Sequence, residues 1–250
     1  MIFEPDSRPL WLLKRVAHAT STNDLAKELT AWQAVVAETQ EAGRGRYGRR
    51  FVCGRGGIWL SAVVPMPGGA ARWTGLALAV GWGLLQSLQI LPVRGLRLRW
   101  PNDLMIGSQK LGGILLEQNA KEQCVVGVGI NIFNQPADDD PALSGIVTRL
   151  ADCIEGGESA CPSVNDLLPR LLEGIGNGWQ RMSEVGLAGM VDNLNESWGG
   201  QRAVEVRPLQ ELAVTGQFLG INAEGVLVLR LSDGGGRSFP AHLVERMVEL

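Results

Sequence analysis

Four arginines and three glycines crowd into residues 43–50, GRGRYGRR, in a chain of net charge −3. Arginine offers a planar fork suited to phosphate or carboxylate, and glycine lets backbone fold closely around a bound group. Phe51 ends the run with a ring that can cover a purine, and Gln40 stands at its base. Adjacent positive charges repel one another, so the loop is expected to be mobile until an anion orders it. A second set lies in RWPNDLMIGSQKLGGILLE. Pro101 ends a strand, and Asn102 and Asp103 then present an amide and a carboxylate on one turn. Lys110, seven residues beyond Asp103, begins the returning strand, so a hairpin can bring ammonium and carboxylate to one pocket. Gly112 and Gly113 leave that strand bare for a ligand to approach. In VVGVGIN, Gly127 and Gly129 open a slot ending at Asn131, and Ser21, Thr22 and Asn23 gather three polar side chains at one point.

Each feature also has an ordinary explanation: a solvated turn, a plain hairpin with a surface lysine, a core strand, a helix cap. Their coupling along one chain favours a pocket for a small anionic ligand. A general nucleic-acid binder would be basic over a whole face, which a net charge of −3 argues against. Four cysteines without a CxxC pair and only two histidines offer no metal-finger spacing, and no Ser–His or Cys–His pair suggests a nucleophile. His18 and His242 are expected to pack or face solvent. The first fifteen residues lack a leader's basic start and long apolar run, and no stretch is long enough to cross a membrane. The expected setting is cytoplasmic and reducing.

The elements that must position these residues follow from periodicity. Strands are predicted at 10–18, 34–38, 57–64, 96–100, 104–106, 111–117 and 123–133. In LRLRW the alternation predicts a half-exposed strand. A helix capped by Ser21 or Thr22 would turn Leu25, Ala26, Leu29 and Trp32 inward. Further helices are predicted within 71–90 and near 163–184 and 186–197, with 134–162 as polar loop. After Gly200 the texture changes to short strands, AVEVRP, LAVTGQFLGI, GVLVLRL and RSFP, the pattern of a small β-barrel. This divides the chain into 1–197 and 198–250.

STND, AETQEAGRGRYGRRF, LRWPNDL, KLGGILLE and VVGVGIN stand in the order and approximate spacing of the biotin protein ligases. From about residue 10 onward the chain resembles that family. The resemblance implies an α+β fold: a mixed sheet flanked by helices, class II synthetase-like, then an SH3-like β-barrel. It implies that biotin and MgATP give biotinyl-5′-adenylate and pyrophosphate, and that biotin then passes to a lysine of the biotin carboxyl carrier protein of acetyl-CoA carboxylase. By the same resemblance Ser21, Thr22, Asn23 and Gln40 hold the biotin head group. Gly43, Arg44, Gly45 and Arg46 form the loop that closes over the adenylate, and Gly113 touches biotin. Lys110 contacts the biotin carboxylate and the α-phosphate, with Arg46 and Asp103 as its catalytic companions. Arg49, Phe51, Asn102, Asp103, Lys110 and Asn131 serve the nucleotide, and Mg²⁺ arrives with ATP, near Asp103 if the protein touches it.

Family members that repress transcription carry a helix-turn-helix domain before the STN motif. Only about twenty residues stand there in this chain, so the ligase-only form without DNA binding is expected. An exposed edge strand would permit a homodimer. The chain departs from the pattern at Phe51, commonly tryptophan. It departs again at AHLVER, which only distantly matches the family's GEVSLR, so the resemblance assigns no role to Arg246 or the tail. Two alternatives stay open: a lipoate-type acyl-adenylate ligase, although its RRxSGGG loop is missing, and a non-catalytic module binding phosphate or RNA.

Overall fold

The computed structural model describes residues 10–119 and 122–250; residues 1–9, most of the segment read for a leader, lie outside them. Apolar, β-branched runs such as AVVA, IWLSAVV and VVGVGI form the middle of a seven-stranded sheet, as strands covered on both faces should. Its strands are β1 (Leu12–Ala19), β2 (Gln33–Gln40), β3 (Ile58–Pro65), β4 (Leu96–Arg99), β5 (Asp103–Ile106), β6 (Gln109–Asn119) and β7 (Gln123–Ile130). They lie in the order β1-β2-β3-β7-β6-β5-β4. The β1–β2 pair is parallel and the other pairs are antiparallel, so the sheet is mixed.

The period of two along β3 and β7 assigns the faces. Ile58, Leu60, Ala62, Val126 and Val128 belong to the main core. That core also takes in α2 (Leu76–Leu88) and α5 (Val164–Val185). These helices approach so closely that a Cβ on Gly83 would stand 2.0 Å from the Gly174 carbonyl oxygen. Ser163 and Asp166 close a reciprocal capping box at the start of α5, worth about 1 kcal/mol. The opposite face carries Val63 and Val125 beneath Ala26 of α1 (Thr22–Ala26), and further along it carries Trp59, Ser61, Gly127 and Gly129.

The expected first helix is only one turn long. Trp32 takes a left-handed conformation (φ 68°) and packs its ring against Trp11 and Trp179, while Leu25 is exposed. Thr22 and Asn23 are buried in their place. The predicted 134–162 loop contains two short helices, α3 (Pro136–Asp139) and α4 (Leu150–Cys153), and α6 (Val191–Glu196) precedes the second sheet. That sheet is antiparallel, in the order β11-β10-β9-β8-β12. It comprises β8 (Arg202–Pro208), β9 (Val214–Ile221), β10 (Leu227–Arg230), β11 (Gly236–Phe239) and β12 (Val244–Glu249). The last of these was not anticipated. Neither was the burial of Arg97 in LRLRW, which is 7 % exposed because Glu249 of β12 and the Gly107 carbonyl oxygen receive its guanidinium. Among the described residues no helix is long and apolar enough to cross a membrane.

Candidate active site

A cavity of about 250 Å³ opens on the α1 side of the large sheet. Every expected site residue lines it except Gly43, whose missing side chain instead admits the Cys53 sulfur. At one end α1 presents its polar residues inward. The Gln40 side-chain oxygen accepts from the Thr22 amide at 2.6 Å and from its hydroxyl at 2.8 Å. The Ser61 hydroxyl lies 2.6 Å from Asn23 Oδ1 and 2.8 Å from Thr22 Oγ1. Asn23 Nδ2, buried, has no hydrogen-bond partner among the described residues. A buried donor left unpaired costs roughly 1–3 kcal/mol, so this amide is poised for an acceptor that the protein does not supply. A Cβ at Gly127 would stand 2.3 Å from Asn23 Oδ1; glycine keeps that corner open. Ser21 occupies the N-cap position without a side-chain cap hydrogen bond.

The β5–β6 hairpin brings Lys110 and Asp103 together as its spacing predicts. Lys110 Nζ lies 2.5 Å from Asp103 Oδ1, while Arg99 holds Asp103 Oδ2 at 2.8 Å. Burial works to raise the Asp103 pKa, but the charges of Lys110 and Arg99 outweigh it and hold the carboxyl below its usual range. An acid so stabilised as its anion is a weak base; it serves to orient Lys110. Lys110 Nζ also lies 5.6 Å from the centre of the Phe51 ring, which meets Trp59 edge-on. A Cβ on Gly113 would press to 3.1 Å from Lys110 Nζ. The amides of Asn102 and Asn131 are partly committed inward: Asn102 Nδ2 donates to the Ile114 carbonyl oxygen, and Asn131 Nδ2 to that of Thr148.

The basic loop differs most from expectation. Arg44 is not a free anion receptor. It forks onto Asp24 at 2.7 and 2.9 Å and onto Glu117 at 3.1 Å. Hydrogen bonding from Arg44 brings Asp24 down to about 2 against the opposing pull of burial, with Lys27 assisting. For Glu117, burial raises and Arg44 with Lys27 lowers, the net shift being downward. Arg46 donates to main-chain oxygens of the C-terminal segment. Self-repulsion is therefore relieved by internal partners before any ligand arrives. Arg49 and Arg50 line the cavity exposed, and among the described residues no carboxylate pairs with either.

Sequence reasoning missed Arg99, Cys53, the apolar wall of Leu143, Ile146 and Val147, and the tail residues Glu245, Arg246 and Met247, all of which line the cavity. The LRLR alternation was the available signal for Arg99; the others had none beyond the weak AHLVER match. Burial pushes the Cys53 thiol up to about 11, with the Gln40 hydrogen bond pulling the other way, so it stays neutral and is no nucleophile. His18 faces solvent beside Glu41 and Thr39. Among the described residues no group of three His, Cys, Asp or Glu could hold a metal, and both Asp103 oxygens are occupied by cations. These side chains therefore do not fit a built Mg²⁺ site. The cavity thus offers an unpaired amide donor at its polar end and, further along, an ammonium group held by a carboxylate.

Residues 14–131, which carry all the expected site residues and nearly all of β1–β7, match the Biotin/lipoate A/B protein ligase family. The relatives it is similar to include bifunctional ligase/repressors and biotin ligases. It is 34 % identical over 148 residues to the bifunctional ligase/repressor BirA of Escherichia coli, covering 57 % of this chain and 43 % of that one. To the biotin--[acetyl-CoA-carboxylase] ligase of Paracoccus denitrificans it is 28 % identical over 242 residues, 90 % of this chain and 97 % of the relative. The chain thus spans less than half the length of the bifunctional ligase/repressors it matches. The fold is similar to that of the Aquifex aeolicus biotin protein ligase in complex with biotin and ATP, with a TM-score of 0.80 at 22 % identity over 96 % of this chain and 99 % of that one.

Proposed function

We propose that the chain is an ATP-dependent biotin–[biotin carboxyl carrier protein] ligase. The observation that carries this reading is one cavity with an unpartnered buried amide, Asn23 Nδ2, at its polar end and Lys110 further along. The Thr22–Gln40–Ser61 cluster and Asn23 hold the ureido head group of biotin, and the glycine-lined slot of Gly113, Gly127 and Gly129 takes its body. The biotin carboxylate then lies near Lys110, where an oxygen of it attacks the α-phosphorus of ATP and pyrophosphate leaves. Two anions repel as they approach, and Lys110, fixed by Asp103 and Arg99, offsets that repulsion in a site already organised for it. In the second step the ε-amine of the carrier lysine attacks the acyl carbon, AMP leaves, and the amine loses its proton to form the amide. Neither step needs a nucleophile from the protein. Phe51 covers the nucleotide, and Arg49 and Arg50 meet its phosphates. Magnesium, carried by ATP, would screen those phosphates. The biological acceptor is the carrier protein of acetyl-CoA carboxylase.

The same reading takes the large sheet as the class II synthetase-like catalytic part and the second sheet as an SH3-like barrel beginning near residue 198.

The test is incubation with ATP and either biotin or lipoate, followed by mass spectrometry of the acyl-adenylate and of an added carrier domain. Biotinyl-adenylate and a biotinylated carrier lysine are expected. Adenylation of lipoate alone would overturn the proposal.

A further inference from the structure

Arg46 and Tyr47 both reach out of the basic loop to the start of the last strand. Arg46 Nη2 donates to the carbonyl oxygen of Ala241 at 2.5 Å and to that of Val244 at 2.9 Å. The Tyr47 hydroxyl lies 2.9 Å from the Val244 carbonyl oxygen and 3.2 Å from that of His242; its single hydrogen serves one of them at a time. The Arg46 guanidinium also sits 5.0 Å from the centre of the Tyr47 ring. Tyr47 holds φ at 58°, a left-handed conformation that an aromatic residue adopts only when its surroundings compensate the strain. The next residues of β12, Glu245, Arg246 and Met247, line the cavity, whereas Tyr47 does not. At the far end of β12, Glu249 is gripped by Arg97 and Arg202. The strand is thus pinned at both ends with a cavity wall between.

From this geometry we infer that Tyr47 is a positioning residue: with Arg46 it fastens the glycine–arginine loop to the C-terminal strand, so that loop and strand form one wall and retention of the acyl-adenylate depends on the joint. The ligand in this statement rests on the functional reading above; the joint itself does not. Opening the wall would require the loop to give up three main-chain acceptors together. The second sheet, to whose tail the sequence assigned no role, thereby acts on the intermediate through β12.

Tyr47→Phe removes the hydroxyl and keeps the ring. Without ligand, hydrogen exchange of the Gly45 and Phe51 amides, which close the loop onto Arg49 and Gly43, should quicken by about two- to tenfold, the effect of losing one hydrogen bond. Unchanged exchange would overturn the joint. In single-turnover reactions with biotin and ATP, release of biotinyl-adenylate should rise by a similar factor while its rate of formation changes less than about twofold. Release unchanged despite faster exchange, or formation and release falling together, would overturn the positioning role. If the unmodified protein forms no biotinyl-adenylate, the functional reading fails, and the ligand-free exchange still decides the joint.

Discussion

Asp103 is held by two cations, Arg99 and Lys110, and both line the cavity. Arg99 takes one carboxylate oxygen so that the other can fix Lys110 at 2.5 Å. Lys110→Ala should therefore lower adenylate formation by ~10²-fold or more, the loss typical of removing one preorganised charge or donor. Pyrophosphate release at the unmodified rate would contradict the role given to Lys110. Arg44 belongs to a different balance. Its forked contacts depress Asp24 and Glu117 below their ordinary values, so this stabilisation is complete above the unfolded carboxylate range. It is lost as pH falls through the folded values, about 2 for Asp24. Arg44→Met should accordingly melt at lower temperature than the unmodified protein near pH 7, and the gap should narrow as pH drops towards ~2–3. A gap of constant size across that range would show that the ion pairs contribute nothing to it. Asp24 is nearly half exposed, so the gap itself should be modest.

At the scale of elements, α1 shows why parts of the site were legible and parts of the fold were not. Its residues were singled out for polarity, yet periodicity also placed Leu25 inside; Leu25 is exposed, whereas Ala26 and Leu29 do pack on the core. A one-turn helix buries whichever residues meet the strand beneath, and here Thr22 and Asn23 meet Gln40 and Ser61. The hairpin of β5 and β6 was legible because its turn sits between two apolar runs; Lys110 pairs with Met105, past a register shift, and its side chain reaches back to Asp103. Helices α3 and α4, four residues each, are too short to show any period. Strand β12 lacks clean alternation because its register slips between Val244 and Arg246, which leaves Glu245 and Arg246 together on the exposed side. Arg44 and Arg46 could not be paired from sequence, since their acceptors lie 20 to 198 residues away. The close approach of α1 and β7 yields a further prediction. Gly127→Ala places a methyl carbon 2.3 Å from Asn23 Oδ1, and Asn23 is held by Ser61 and cannot easily retreat. The variant should fold with β7 intact but bind biotin at least ~10-fold more weakly by calorimetry, because one displaced polar contact costs about 1.4 kcal/mol. Unaltered affinity would remove Asn23 from the binding end.

At the scale of the molecule, the two sheets meet through charge as well as apolar packing. Arg97 on β4 is almost fully buried, and it forks onto Glu249 of β12 at 2.6 and 2.9 Å; Arg202 of β8 joins at 3.1 Å. Burial alone would raise the Glu249 pKa, and the two arginines reverse the shift. With Arg97 buried, the pair is costly to break from one side, since the guanidinium would be left with main-chain oxygens alone. Glu249→Gln should therefore destabilise the protein by roughly 3–5 kcal/mol, whereas replacing both partners, Arg97→Met with Glu249→Leu, should recover most of the loss. Chemical denaturation of Arg97→Met, of Glu249→Leu and of the double variant measures this, and additive losses would mean that the pair is not coupled. Activity separates the two consequences. The double variant keeps the sheets packed without charge, so if packing alone sets the position of Arg246 at the cavity, adenylate retention should return with stability. If stability returns and retention does not, the exact path of β12, rather than the adhesion of the second sheet, is what the site requires.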